Sequence, residues 1–145
     1  MTSSHSTQRD IGLLIIRLGV GLSLVIFHGY GKMTAGPELW TKLGGAMGHL
    51  GIHFAPVFWG FLSAVAESVG AGLLVLGVLF RPAAALVAIN MFVAALNHLN
   101  LPADSPGHGW SGASHALELF AGALGLLITG SGRYAVSTLW SKRRR

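Results

Sequence analysis

Residues 56–80 read PVFWGFLSAVAESVGAGLLVLGVLF, a long apolar run with one charge, Glu67, near its middle. A hydrophobic run of this length reads as a membrane-spanning helix. A carboxylate near the bilayer centre costs at least ~2.5 kcal/mol on insertion scales, so it needs a partner and often marks function. What Glu67 faces is therefore the question for the rest of the chain.

The composition agrees with a membrane reading. Of 145 residues, 52% are hydrophobic and only 10% are charged, whereas a soluble domain carries about 25% charged residues. The net charge of +5 does not point to nucleic acid, because the Lys and Arg residues sit beside the apolar runs, where they set topology and meet anionic lipid. The partner this implies is the lipid bilayer. There is no cysteine, which excludes disulfides, thiol redox chemistry and zinc–thiolate sites.

Four spans are expected, at about 11–30, 56–80, 82–99 and 113–129, forming one all-α four-transmembrane-helix bundle of up-down topology over 11–132. Residues 1–10 read as a disordered cytoplasmic tail. They lack the apolar core of a cleavable signal, since Arg17 interrupts the run that follows. Residues 133–145 read as a basic cytoplasmic tail. Between the first two spans, Gly36-Pro37-Glu38 can start a short interfacial helix, with Pro37 at its first position. Arg81-Pro82 marks the turn into the third span. Arg9, Arg81, Arg133 and Lys142 to Arg145 fall on one side of such a bundle, and Lys32 and Lys42 on the other. The positive-inside rule then puts both termini in the cytoplasm.

Depth suggests a partner for Glu67. At ~1.5 Å per residue, Glu67 lies ~16 Å from the outer end of its span and Arg17 roughly 20 Å from the outer end of the first. An Arg17–Glu67 ion pair would shelter both charges. It would serve either to fix helix register or to act on a ligand or proton. His28, His98, His115 and Glu118 fall in the outer halves of the other spans or near their ends, and the i, i+3 spacing puts His115 and Glu118 on one helix face. These groups suit an outward-facing polar cavity with the ion pair at its floor. The plainer reading is histidines wetted by lipid headgroups. His115-x-x-Glu118 also resembles a reversed half of the Glu-x-x-His pattern of diiron bundles. A metal set of His115, Glu118 and His98 would need more carboxylates than the chain offers.

The order of motifs resembles a known family. Arg17-Leu-Gly followed by His28-Gly-Tyr-Gly-Lys32 is similar to the opening of DoxX-type membrane proteins. Glu67-Ser-Val-Gly70-Ala-Gly72, Arg81, His98, Glu118 and Gly130-Ser-Gly-Arg133-Tyr134 continue the pattern over residues 11–134. The resemblance implies a small multi-pass protein of a bacterial inner (cytoplasmic) membrane. The family name is linked to the membrane subunit of an archaeal thiosulfate:quinone oxidoreductase, and other members are tied to oxidoreductase and redox-stress systems. It implies a membrane oxidoreductase subunit that forms or supports a quinone-linked redox site. His28, His98, His115, Glu118 and Lys32 are then the candidate ligand or proton-relay residues, with a soluble or membrane redox partner and homo-oligomer formation both in view. Two other classes fit the same residues: a non-enzymatic anchor for a redox or stress-response partner, and a small transporter or lipid-binding protein.

Overall fold

The computed structural model describes residues 2–143. Helices and connecting turns make up all of the regular structure among them. Four helices are long and apolar enough to cross a membrane: Ser6–Thr34, Pro56–Leu76, Phe80–Asn100 and Gly109–Thr129. We call these the first to fourth spans. A short helix, Pro37–Gly44, and a 3₁₀ turn, Gly45–Leu50, link the first two, and Val136–Arg143 forms a final helix.

The first span corrects the expected boundaries at both ends. Its helix begins at Thr2, so residues 2–10 are helical rather than a disordered tail. Asp10 is buried, with Arg133 Nε 3.4 Å from its carboxylate. At the other end the helix runs through Lys32 to Thr34 and stops before Gly36, whose φ of +84° favours glycine.

The turn between the second and third spans also falls earlier than expected. The second span ends at Leu76, and Gly77 caps it in the left-handed conformation. Arg81 and Pro82 lie in the first turn of the third span, where the missing Pro N–H costs nothing. The fourth span starts four residues before the expected Ala113, at Gly109.

Small side chains let the spans pack closely. Ala64, Ala71, Ala84, Ala123, Leu24, Leu74, Val87 and Leu126 are essentially inaccessible. In lipid there is no hydrophobic force between helices, so close van der Waals contact at small residues carries association. Ile15, Phe27, Ile89 and Ile128 are exposed, as expected of a surface facing acyl chains. Two helix crossings depend on glycine. A methyl group at Gly29 would collide with the Glu67 carbonyl, and one at Gly60 with the Trp40 carbonyl. The first contact locks the first span to the second. The second lays the Pro37–Gly44 helix tightly on the second span, aided by the edge-on contact of Trp40 with Phe61 at 5.0 Å.

Candidate functional site

The Gly29–Glu67 crossing joins two π-helical turns, Leu24–Gly29 and Ala66–Gly70. Such turns insert a residue into a helix and are frequent at functional sites. Ser68 Oγ donates to the Ala64 carbonyl at 2.6 Å within the second of them. Glu67 is carried inward here and is 1% exposed.

Glu67 pairs with Lys32, not with Arg17. Lys32 Nζ lies 2.6 Å from Glu67 Oε1, and Asn90 Nδ2 from the third span donates to the same oxygen at 2.8 Å. The expected Arg17–Glu67 pair fails on register. Gly29 abuts Glu67, and Arg17 lies twelve residues back along the same helix, ~18 Å away, whereas Lys32 is one turn onward. A first span ending at Tyr30 would leave Lys32 in a loop. The helix keeps Lys32 on the span, and its long stem reaches down to the carboxylate.

Arg17 has a different task. Its Nη1 donates to the Ser131 carbonyl at 2.9 Å and its Nη2 to the Tyr134 carbonyl at 2.7 Å. The guanidinium sits against Gly77, just past the end of the second span, and Ser137 Oγ donates to the Gly77 carbonyl at 2.6 Å. A buried cation beside backbone carbonyls of the turn after the fourth span is favourable in both charge and hydrogen bonding. Arg17 therefore ties the segment after the fourth span to the end of the second.

Lys32, Glu67 and Asn90 line a cavity of about 330 Å³ between the second span, the third span and the short connecting helices. Its other polar lining groups are Lys42, Ser63, Asn97 and His98, and its walls include Leu62, Leu86, Val93 and Trp59. A few convergent polar groups on an apolar wall are the usual make-up of a small-molecule site, at the low end of the ~300–1,000 Å³ range. Glu67 Oε2 is buried and has no hydrogen-bond partner among the described residues. Trp40 Nε1 donates to the Lys32 carbonyl at 2.8 Å and fixes the backbone that carries the ammonium.

The family model for DoxX matches residues 12–100, more than half of the chain. This chain belongs to the DoxX family. No curated relative and no solved structure matches it. The matched stretch covers nearly all of the first three spans and every residue of the Lys32–Glu67–Asn90 cluster. The fourth span lies beyond it.

In this DoxX-family chain the expected outer polar set divides in two. His98 and Lys32 line the cavity, and His98 Nδ1 hydrogen-bonds the Gly107 carbonyl at 2.9 Å. His28 and His115 meet each other, with ring centroids 5.4 Å apart, where the first and fourth spans approach. Glu118 joins neither group and is exposed on the fourth span. Among the described residues, no three His, Cys, Asp or Glu side chains come together in a way that could hold a metal ion. His98 lines the cavity, whereas His115 meets His28 and Glu118 is exposed on the fourth span, so these three side chains do not form a common cluster.

Asn90, Asn97 and Lys42 line the cavity without having been singled out by the sequence reading. Asn90 carried a signal, since it is an isolated amide in an apolar span. Lys42 carried none beyond its position on the connecting helix.

Proposed function

We propose that this DoxX-family membrane protein holds the head group of a quinone in the cavity floored by Lys32, Glu67 and Asn90, and supports redox chemistry there together with a partner. The observation that carries this reading is the buried cluster itself: an ion pair and an amide inside an apolar-walled cavity, with one carboxylate oxygen left unpartnered. A buried acceptor without a partner is costly. A ligand hydroxyl would satisfy it.

The donors present suit a quinone ring. Lys32, Lys42 and Asn97 offer N–H groups for ring oxygens, His98, whose Nδ1 is bonded to Gly107, offers Nε2 as an acceptor for a ring hydroxyl, and Leu62, Leu86 and Val93 offer apolar contact for the ring faces. A bound quinone supplies two-electron, two-proton chemistry at its ring oxygens. The chain supplies the groups that bind the ring and handle its protons. Lys32 and Glu67 hold a proton between a nitrogen and an oxygen, so the pair can give one to a ring oxygen or accept one from a ring hydroxyl. Asn90 donates to Oε1 and orients the carboxylate. Without cysteine, the protein offers no thiol to exchange electrons, and the reading assigns electron delivery to a redox partner.

The same reading orients the molecule. The contacts Arg17–Ser131 and His28–His115 run the first and fourth spans in opposite directions, which supports the up-down topology. The bias of Lys and Arg toward the end that carries Arg9, Arg81 and Arg133 supports cytoplasmic termini and an inner-membrane location. The cavity then faces the outer leaflet.

Trp59 lines the cavity, so its fluorescence tests the proposal. A short-chain quinol, the reduced form that carries the donating hydroxyls, titrated into protein in nanodiscs is expected to quench emission saturably. Trp59→Phe should remove most of the quenched signal, and Glu67→Gln should weaken binding about tenfold, the equivalent of one hydrogen bond to a charged group. Quenching that never saturates, or that is indifferent to both substitutions, would defeat the proposal.

A further inference from the structure

The cavity sits on the flank of the bundle rather than at its centre. The first span contributes only Lys32 to its lining, and the fourth contributes nothing. The walls are the second and third spans and the short helices that link the first two. Those short helices close one end only. Gly44 lies against Pro56, and Gly60 against Trp40, so the Pro37–Gly44 helix covers the start of the second span. Gly60 is seven residues, ~10 Å, short of Glu67. At the level of Glu67 the short helices have already ended, and the walls are two spans and the stem of Lys32.

The third span shows what the remaining side meets. Leu86, Ile89, Asn90, Val93, Asn97 and His98 line the cavity, at the three- and four-residue spacing of one helix face. Their polarity is graded. Asn97 and His98 lie near the Asn100 end, and Asn90 lies ~15 Å from it. Ile89 is level with Asn90, Leu86 is deeper, and both are apolar. Ile89 is also 64% exposed, although it is the tenth residue of a 21-residue span. In a hydrocarbon core about 30 Å thick, an exposed side chain at mid-span meets acyl chains.

We infer that the cavity opens sideways into the bilayer between the second and third spans, at Ile89, and that its ligand is a membrane-dissolved amphiphile whose apolar chain leaves through this opening. The opening stands on the lining alone, whereas the chain rests on the quinone reading of the cavity and adds the class of quinone. At about 330 Å³ the cavity is at the low end for a drug-sized ligand. It holds a substituted ring but not a long chain as well. With the ring at Lys32, Glu67 and Asn90, a chain passing Leu86 and Ile89 stays in apolar surroundings. A chain running the other way would lie over Lys42, Asn97 and His98 and take polar groups out of water without replacing their hydrogen bonds, which is costly.

Two measurements on the full chain in liposomes test this. The first needs no ligand. The chain has no cysteine, so a nitroxide on Leu86→Cys reports the deep end alone. Oxygen, which concentrates in hydrocarbon, should reach it comparably to a nitroxide on the exposed Ile15→Cys. A water-soluble nickel chelate should reach it far less than it reaches Asn97→Cys. A Leu86 label that nickel reaches as readily as Asn97, or that neither reagent reaches, would overturn the opening.

The second compares two radiolabelled quinols with the same ring, one carrying a methyl group and the other a decyl chain, with binding referred to their concentrations in the membrane. Ile89→Trp puts a bulky side chain in the opening. It should weaken the decyl compound roughly tenfold, within the range for overpacking a filled space, and leave the methyl compound within about twofold. Thermal melting checks that the variant folds. Equal loss for both compounds, or loss for neither, would overturn the path of the chain and leave the quinone reading standing. If neither compound binds the unsubstituted protein, the quinone reading falls and the chain with it, and the nitroxide result still decides the opening.

Discussion

Replacing Lys32 with Met removes one half of a buried ion pair and leaves Glu67 with Asn90 alone. Stranding one partner of a fully buried pair costs about 3–5 kcal/mol. The Lys32 side chain is 23% exposed and that of Glu67 only 2%, so the pair is sheltered mainly on the carboxylate side. The amide bond from Asn90 also survives. Partial solvent access reduces the loss, and we expect about 2–3 kcal/mol, a shift of roughly 30- to 150-fold in the folding equilibrium. Replacing both residues, Lys32→Met with Glu67→Gln, removes the stranded charge and should recover at least about half of that loss, because the neutral amide is far cheaper to bury than an unpaired carboxylate. The assay is a double-mutant cycle of unfolding free energies, measured by denaturant titration in mixed micelles. A coupling energy within about 0.5 kcal/mol of zero, the scatter of independent sites, would refute the pairing.

Arg17→Met should loosen the far end of the bundle rather than the cavity. Losing two charge-assisted bonds predicts about 3 kcal/mol of destabilisation, read as faster hydrogen exchange over residues 130–138. Its effect should add to that of Glu67→Gln within about 0.5 kcal/mol, since the sites share no partner; strong coupling would restore the pairing that the register excludes. Gly29→Ala drives a methyl group into the Glu67 carbonyl and should cost about 1–3 kcal/mol by overpacking. It should also lower quinone affinity by displacing the carboxylate. A neutral Gly29→Ala would mean that the first two spans do not cross there.

The number of spans and the burial of Arg17 and Glu67 were legible from apolar run length and from the isolation of the charges. Their pairing was not. It depended on where the first helix ends, and the His28-Gly29-Tyr30-Gly31 stretch reads as a helix terminus when glycine is weighed by propensity alone. In the structure Gly29 is there for close approach to the second span, and the helix carries on to Thr34. Shifting the end of the span moved Arg17 away from Glu67 and brought Lys32 to it. The π-helical turns were invisible for a related reason: they arise from packing between spans, not from any residue's own preference. Residues 2–10 were misread because their polarity suggested a solvated tail, whereas Asp10 is held by Arg133, more than a hundred residues away in sequence. The division of the histidines between the cavity and the first–fourth span contact follows from helix rotation, which depth alone does not give.

The Lys32–Glu67–Asn90 cavity is proposed to receive a quinone head group. Photolabelling tests it most directly. The full chain in liposomes would be irradiated with a photoreactive quinone analogue, and the labelled residues identified by mass spectrometry. Labelling concentrated on cavity-lining residues such as Met47, Leu62 and Val93, and displaced by excess unlabelled quinone, is the predicted result. Labelling spread over lipid-facing residues such as Ile15 and Ile128, and unmoved by competitor, would contradict it.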